Sequence, residues 1–247
     1  MWVRPATAAD GNSVAELVAA DRPPMLSTPR PLPRTNGAHE GLRRLYVAHD
    51  GSGQVLGAMA LHRHARPGAS AEEVTWLHCR EDPAVAAVLV RAIRDKTADR
   101  HTVAAFSHPT EWPPHVPGLA LHNRPVTTEA FAEAGFRTRH QWLLLHRTAT
   151  PTLADDRAAN KDQYARPVPW ITPDGTLHTT RPIPPPPPPA DVQHHLLRRS
   201  LEVLDQTDAH EALATVDLLA PDASPRCDIL TRSGFEEVDL LRSLALY

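Results

Sequence analysis

The sequence predicts an α/β fold: a mixed, twisted sheet flanked by helices, with a truncated second half packed against it. Three observations predict it. Short apolar runs alternate with stretches of helical periodicity along most of the chain. Two of those runs flank an Asp-Gly turn and read as a β-hairpin. The order of elements near residue 100 is echoed near residue 210.

Trp2 to Arg4 reads as a first strand, and Thr7-Ala8-Ala9-Asp10 supplies capping side chains for a helix through Val14, Leu17 and Val18. Five prolines between 23 and 33 exclude regular helix there. The hairpin is Leu45–Ala48 and Gln54–Leu61, joined by His49-Asp50-Gly51-Ser52-Gly53. A strand over Glu73–Cys79 follows, then a helix opening at Pro83 and running through Ile93 and Arg94. Thr102–Phe106 is the next strand, followed by a Pro/His-rich loop from Ser107 to Pro125. A helix over Thr127–Ala134 ends at Gly135, a left-handed cap, and Gln141–Leu145 is a strand.

Residues 148–189 read as a connector with limited structure, ending in six prolines, Pro184 to Pro189, an extended polyproline run. Asp191 then caps a helix through Leu204, Ala212–Leu219 is a strand, a loop or short helix follows, and Leu240–Leu246 closes the chain. Thr97-Ala98-Asp99-Arg100-His101 is echoed by Thr207-Asp208-Ala209-His210, and Ala132-Glu133-Ala134-Gly135-Phe136 by Thr231-Arg232-Ser233-Gly234-Phe235. The second echo is the closer spaced, which places an insertion in the N-terminal copy, most simply within 107–125. The expected division is 1–147, a Pro-rich connector over 148–189, and a shortened second copy over 190–247, forming one rigid unit.

Composition narrows the function classes. The net charge is -3 with both signs interspersed, and no basic stripe carries aromatics, which argues against nucleic acid. No apolar run reaches the roughly 18 residues of a membrane span, and the N-terminus lacks a signal-peptide pattern. Two distant cysteines, Cys79 and Cys227, imply a reducing, cytoplasmic home. The near-absence of lysine beside abundant arginine, alanine and proline reflects GC-rich coding. His62 and His64 share a strand face, but no third ligand stands at metal spacing, so no metal is expected.

Gln54-Val55-Leu56-Gly57-Ala58 and Ala132-Glu133-Ala134-Gly135-Phe136, in this order of elements, resemble the GNAT superfamily of N-acetyltransferases, as a tandem and degenerate member. The resemblance covers roughly residues 1–147, with its second half repeated over 190–247. It implies acyl transfer from acyl-CoA, or from a carrier protein's pantetheine thioester, to an amine or hydroxyl of a small molecule. The family grips the diphosphate of CoA with amides of a Q/R-x-x-G-x-G/A loop that opens a helix. The matching stretch is Arg80-Glu81-Asp82-Pro83-Ala84-Val85. Arg80 fits, Pro83 removes a donor, Val85 replaces a small residue, and Glu81 and Asp82 add negative charge. Where the family often carries a proton-donating tyrosine, Phe131 and Leu230 stand.

The resemblance assigns cofactor contacts to His78, Cys79, Arg80, Val85 and Ala86. It makes Glu73 or His78 the general base, with Ser107 and His108 at the reactive centre, and places the acceptor against Trp112 and His115. Plainer roles stand beside these: Glu73 at a solvated strand end, His78 in a structural hydrogen bond, Cys79 as a small buried hydrophobe, Trp112 as a cover for the sheet. A non-catalytic module that binds a ligand or partner, or a scaffold reused for other small-metabolite chemistry, are the alternatives.

Overall fold

Two compact units divide the chain: Met1–Pro113 with Pro117–His140 and Arg242–Tyr247, and Pro114–Val116 with Gln141–Leu241. The structure, a computed structural model, describes residues 1–21, 43–66, 69–98, 102–107, 118–148, 169–171, 177–178, 190–206 and 211–247.

The first unit holds β1 (Trp2–Pro5), α1 (Gly11–Ala20), β2 (Arg43–His49), β3 (Val55–Arg66), β4 (Ala69–His78), α2 (Pro83–Lys96), β5 (Val103–Ala105), β6 (Leu119–Ala120) and α3 (Pro125–Glu133). Strands β1 to β4 pair antiparallel in chain order, and β5 joins β4 in parallel through Glu72↔Val103, Glu73↔Ala104 and Val74↔Ala105. On the far side of β5 lie Leu244 to Leu246, the end of the last strand.

Alternation along β3 explains how the sheet carries two cores. Met59 and Leu61 pack with Leu77, Leu89, Ile93 and Phe131, on the side of α2 and α3. Ala58 and Ala60 pack with Trp76, Val14 and Leu17, on the side of α1. At Gly57 α2 packs tightly on the sheet: a Cβ there would stand 2.5 Å from Cγ1 of Val85. The entry to α1 is tied to β1 by Arg4, whose two terminal nitrogens each donate to Asp10 at 2.8 Å. That pairing, with the Thr7 amide, holds the Asp10 carboxyl well below the usual carboxylate range.

The second unit contains β7 (Arg137–Thr148) from Gln141 onward, β8 (Trp170–Ile171), β9 (Leu177–His178), α4 (Ala190–Asp205), β10 (Glu211–Asp217), α5 (Ala223–Arg232) and β11 (Glu236–Leu246) up to Leu241. β10 pairs antiparallel with β7 and parallel with β8, and β9 lies antiparallel to β8. Leu197, Leu201 and Leu204 of α4 meet Ala212, Ala214 and Val216 of β10, with Leu230 and Phe235, in its core. Among the described residues no helix is long and apolar enough to cross a membrane.

The order of elements matches the sequence expectations, while strands run longer than expected: β3 extends to Arg66, β4 begins at Ala69, and β7 spans Arg137–Thr148. α3 starts at Pro125, two residues early, because proline suits the first helical position. The stretch left as a loop or short helix is α5, and the final strand begins at Glu236. The connector contributes the two-residue strands β8 and β9, while Pro184 to Pro189 lie outside the described residues. The echo is structural as well: Gly135 and Gly234 take φ of +88° and +83°. Behind each, the next amide reaches back across the helix end, Phe136 to the Phe131 carbonyl at 3.0 Å and Phe235 to that of Leu230 at 3.1 Å.

Candidate functional site

The candidate site lies in the first unit, where β4 continues past its pairing with β5. Val74 is the last residue of β4 in that ladder. Phe106 donates its amide to the Val74 carbonyl at 2.8 Å, and then turns away with φ of +58°. Beyond that point β4 continues from Thr75 to His78 outside its ladder with β5.

Before the parting, Glu73 is 1% exposed and accepts from the Ser107 amide at 2.9 Å. It is not at a solvated strand end: β3 flanks it on one side and β5 on the other. The geometry therefore brings Glu73 and Ser107 together, with the carboxylate serving the backbone of the loop that follows β5. Neighbouring Glu72 is as buried and pairs with Arg44. His108, Trp112 and His115 lie outside the described residues.

After the parting, four side chains close around the end of β4. The Cys79 amide donates to Oδ2 of Asp21 at 2.8 Å, and Nδ1 of His78 stands 3.3 Å from the same oxygen. Arg124, only 7% exposed, donates to the Leu77 carbonyl at 3.1 Å and to the Thr127 hydroxyl at 2.9 Å. Its guanidinium also lies 3.3 Å from Asp21 and 2.6 Å from Glu81. Glu81 in turn accepts from the amide and hydroxyl of Thr127. Arg80 and Glu81 both carry φ of +52°, a left-handed pair without glycine, held by these bonds.

The electrostatics follow from enclosure. Burial opposes the Asp21 carboxylate, yet His78 and the Arg124 charge outweigh it and its pKa is lowered. Burial lowers Arg124 in principle, but Asp21 and Glu81 raise it, so the cation is secure. Burial pushes the Cys79 thiol up, which leaves it protonated and suits the small buried hydrophobe. Burial pushes His78 below the ordinary 6.5, against the pull of Asp21. The unfolded ring then binds a proton more readily than the folded one. Stability from this group is full above pH 6.5 and is lost as the pH falls toward the lower folded value. The melting temperature should fall more steeply through that window in the wild type than in His78→Asn; equal slopes would remove His78 from the account.

At the start of α2 the carboxylate of Asp82 accepts from the amides of Ala84 and Val85 at 2.9 and 3.0 Å. Pro83 has no amide hydrogen, and the Ala86 amide bonds the Asp82 carbonyl at 2.9 Å. Val85 and Ala86 lie on the buried face of α2, while Arg80 is exposed. The amides that open α2 are thus occupied by the chain's own carboxylate, an ordinary N-cap. Among the described residues no group of histidine, cysteine and carboxylate side chains could hold a metal. A cavity of about 390 Å³ in this unit is lined by Arg91, Arg94 and Val103 among others, and includes none of the network.

Asp21, Arg124 and Thr127 were not among the sequence candidates. Asp21 is followed by a proline-rich stretch and Arg124 precedes Pro125, so both read as punctuation. The charge of Glu81 and Asp82 was legible, and it is now seen to be consumed internally.

No family profile and no curated protein matches this chain. Solved structures do. A GCN5-related N-acetyltransferase from Sphaerobacter thermophilus is 14% identical, with a TM-score of 0.51 over 99% of this chain and 94% of that one. A tandem GNAT protein from the clavulanic acid biosynthesis pathway is 15% identical, with a TM-score of 0.52 over 99% and 97%. A GCN5-related glucosamine N-acetyltransferase region of a fungal multi-domain GH3 beta-N-acetylglucosaminidase is 11% identical at a TM-score of 0.55; this chain spans 38% of that one. The fold is that of the GNAT N-acetyltransferases.

Proposed function

We propose that this chain is a GNAT-fold protein whose first unit has a closed donor site, and that this unit serves as a ligand- or partner-binding module. One observation carries the reading. The amides of Ala84 and Val85, where the fold would grip a diphosphate, already serve Asp82. A second anion there would meet a carboxylate with two of its donors spent. Phe131, at the position of the family's proton-donating tyrosine, is wholly buried and has no hydroxyl. Residues 190–247 act in this reading as a shortened second copy, supported by the matched bonds behind Gly135 and Gly234. A cytoplasmic home agrees with two free cysteines.

A second reading, acyl transfer from acyl-CoA or a carrier-bound pantetheine thioester to a small amine or hydroxyl, is favoured by the contact between His78 and Asp21 at the end of β4. In it, His78 takes a proton from the acceptor, and the acceptor attacks the thioester carbonyl as the thiolate leaves. Melting temperature with acetyl-CoA, longer acyl-CoAs and pantetheine separates the two. A ligand at about 100 times its Kd stabilises by about 2.7 kcal/mol, which is roughly 5 °C or more in a chain of this size. No shift is expected with any of them. A shift of that size with acyl-CoA but not with pantetheine would show a diphosphate grip and overturn the closed-site reading.

A further inference from the structure

The cavity of about 390 Å³ lies at the end of α2 away from the Asp82 cap. A helix of 14 residues is about 20 Å long, so this space is separate from the closed donor site. Its floor comes from the sheet: Val103 of β5 pairs with Leu246 of β11, and both line the cavity from one face. One wall is α2, where Arg91 and Arg94 stand three residues apart and therefore side by side. Both are exposed, and among the described residues neither guanidinium has a hydrogen-bond or ion-pair partner. Like charges at that spacing oppose each other, and Glu72, which pairs with Val103 across the sheet, is held by Arg44. Asp95 is the carboxylate of the lining, so the cavity carries one net positive charge above an apolar floor. Arginine near a helix C-terminus also suits the helix dipole, which accounts for the charge but not for the space beside it.

We propose that this cavity is a binding site for a small organic monoanion, a carboxylate carried on an aromatic or short aliphatic body. The carboxylate accepts from Arg91 and Arg94, whose planar forks fit it. The body lies on Val103 and Leu246, beside the exposed ring of Tyr247. A volume of this size falls in the range of small-ligand sites. The single net charge matches a monoanion rather than a polyanion such as CoA. This site goes beyond the closed-donor reading and stands whether or not the capped end of α2 takes a donor.

The test is NMR titration of the full chain with benzoate and butyrate, and with benzamide as the uncharged counterpart of benzoate. It is run on the wild type, on Arg91→Gln/Arg94→Gln and on Ala98→Trp. Glutamine keeps the helix propensity of arginine and removes the charge. Ala98 is an exposed part of the lining, so tryptophan there fills the space and leaves both arginines in place. The expected result is a saturable shift of the Val103 and Leu246 amides with benzoate in the wild type. Benzamide should bind about tenfold more weakly or worse, and each variant should lose about tenfold in benzoate affinity, as the loss of charge-assisted hydrogen bonds predicts. Benzoate and benzamide bound alike, or benzoate bound undiminished by the double glutamine variant, overturns the anion assignment. Undiminished binding in Ala98→Trp overturns the cavity and leaves only surface charge. No saturable shift with benzoate or butyrate in the wild type overturns the site altogether. The comparison of benzoate with benzamide needs no variant, so it decides the proposal even where a variant does not fold. None of these outcomes bears on the donor site, which the melts with acyl-CoA and pantetheine test separately.

Discussion

Arg124→Ala should destabilise the first unit by about 3–5 kcal/mol, the loss seen when one partner of a buried ion pair is removed. The guanidinium faces two carboxylates, and Asp21 has a side chain only 2% exposed. Alanine would leave both carboxylates without their cation, and would remove the bond to the Leu77 carbonyl. The strained turn at Arg80 and Glu81 would lose one of its ties and keep those from Thr127. Chemical denaturation measures the effect, as a lower midpoint for the transition of this unit. Arg124→Lys should cost less, because the charge survives while the planar fork does not. An alanine variant as stable as wild type would mean that the network contributes nothing to the fold.

Phe131→Ala should cost a comparable 3–5 kcal/mol. The ring is wholly buried, with Phe106 at 5.3 Å and Phe136 at 4.9 Å, both edge-on. It closes the core where α3 meets the turn after β5 and the Gly135 cap, so the cavity would be lined by groups that cannot all move in. Phe131→Tyr is the informative partner. It places a hydroxyl in a site with no solvent access, so it should lower stability without creating a proton donor for transfer chemistry. Thermal melts of both variants, with an acetyl-transfer assay on the tyrosine variant, check this. Gain of transfer activity in Phe131→Tyr would show that the ring position is reachable and would reopen the catalytic reading.

Much of the fold was legible because it is written in local patterns. Alternation of Ala58, Met59, Ala60 and Leu61 marks a strand buried on both faces. Pro83 marks a helix start, and Gly135 marks a helix end that needs a left-handed residue. Each signal depends on neighbours within a few residues. The same locality explains why Asp82 could be flagged as a misplaced charge: capping is decided two and three residues away.

The closing of the site was not legible in this way. Asp21, Leu77 with Glu81, and Arg124 with Thr127 come from three separate parts of the chain, and no spacing rule links those parts. Glu73 likewise looked like a strand-end carboxylate until the register with β5 enclosed it. By itself, then, the sequence determined most of the elements and their order, since these are set by backbone preferences and short-range periodicity. Only the tertiary structure decided which backbone groups at the end of β4 are met by side chains, because that depends on groups delivered by distant helices into a low-dielectric interior, where an unpaired charge or amide is too costly to leave.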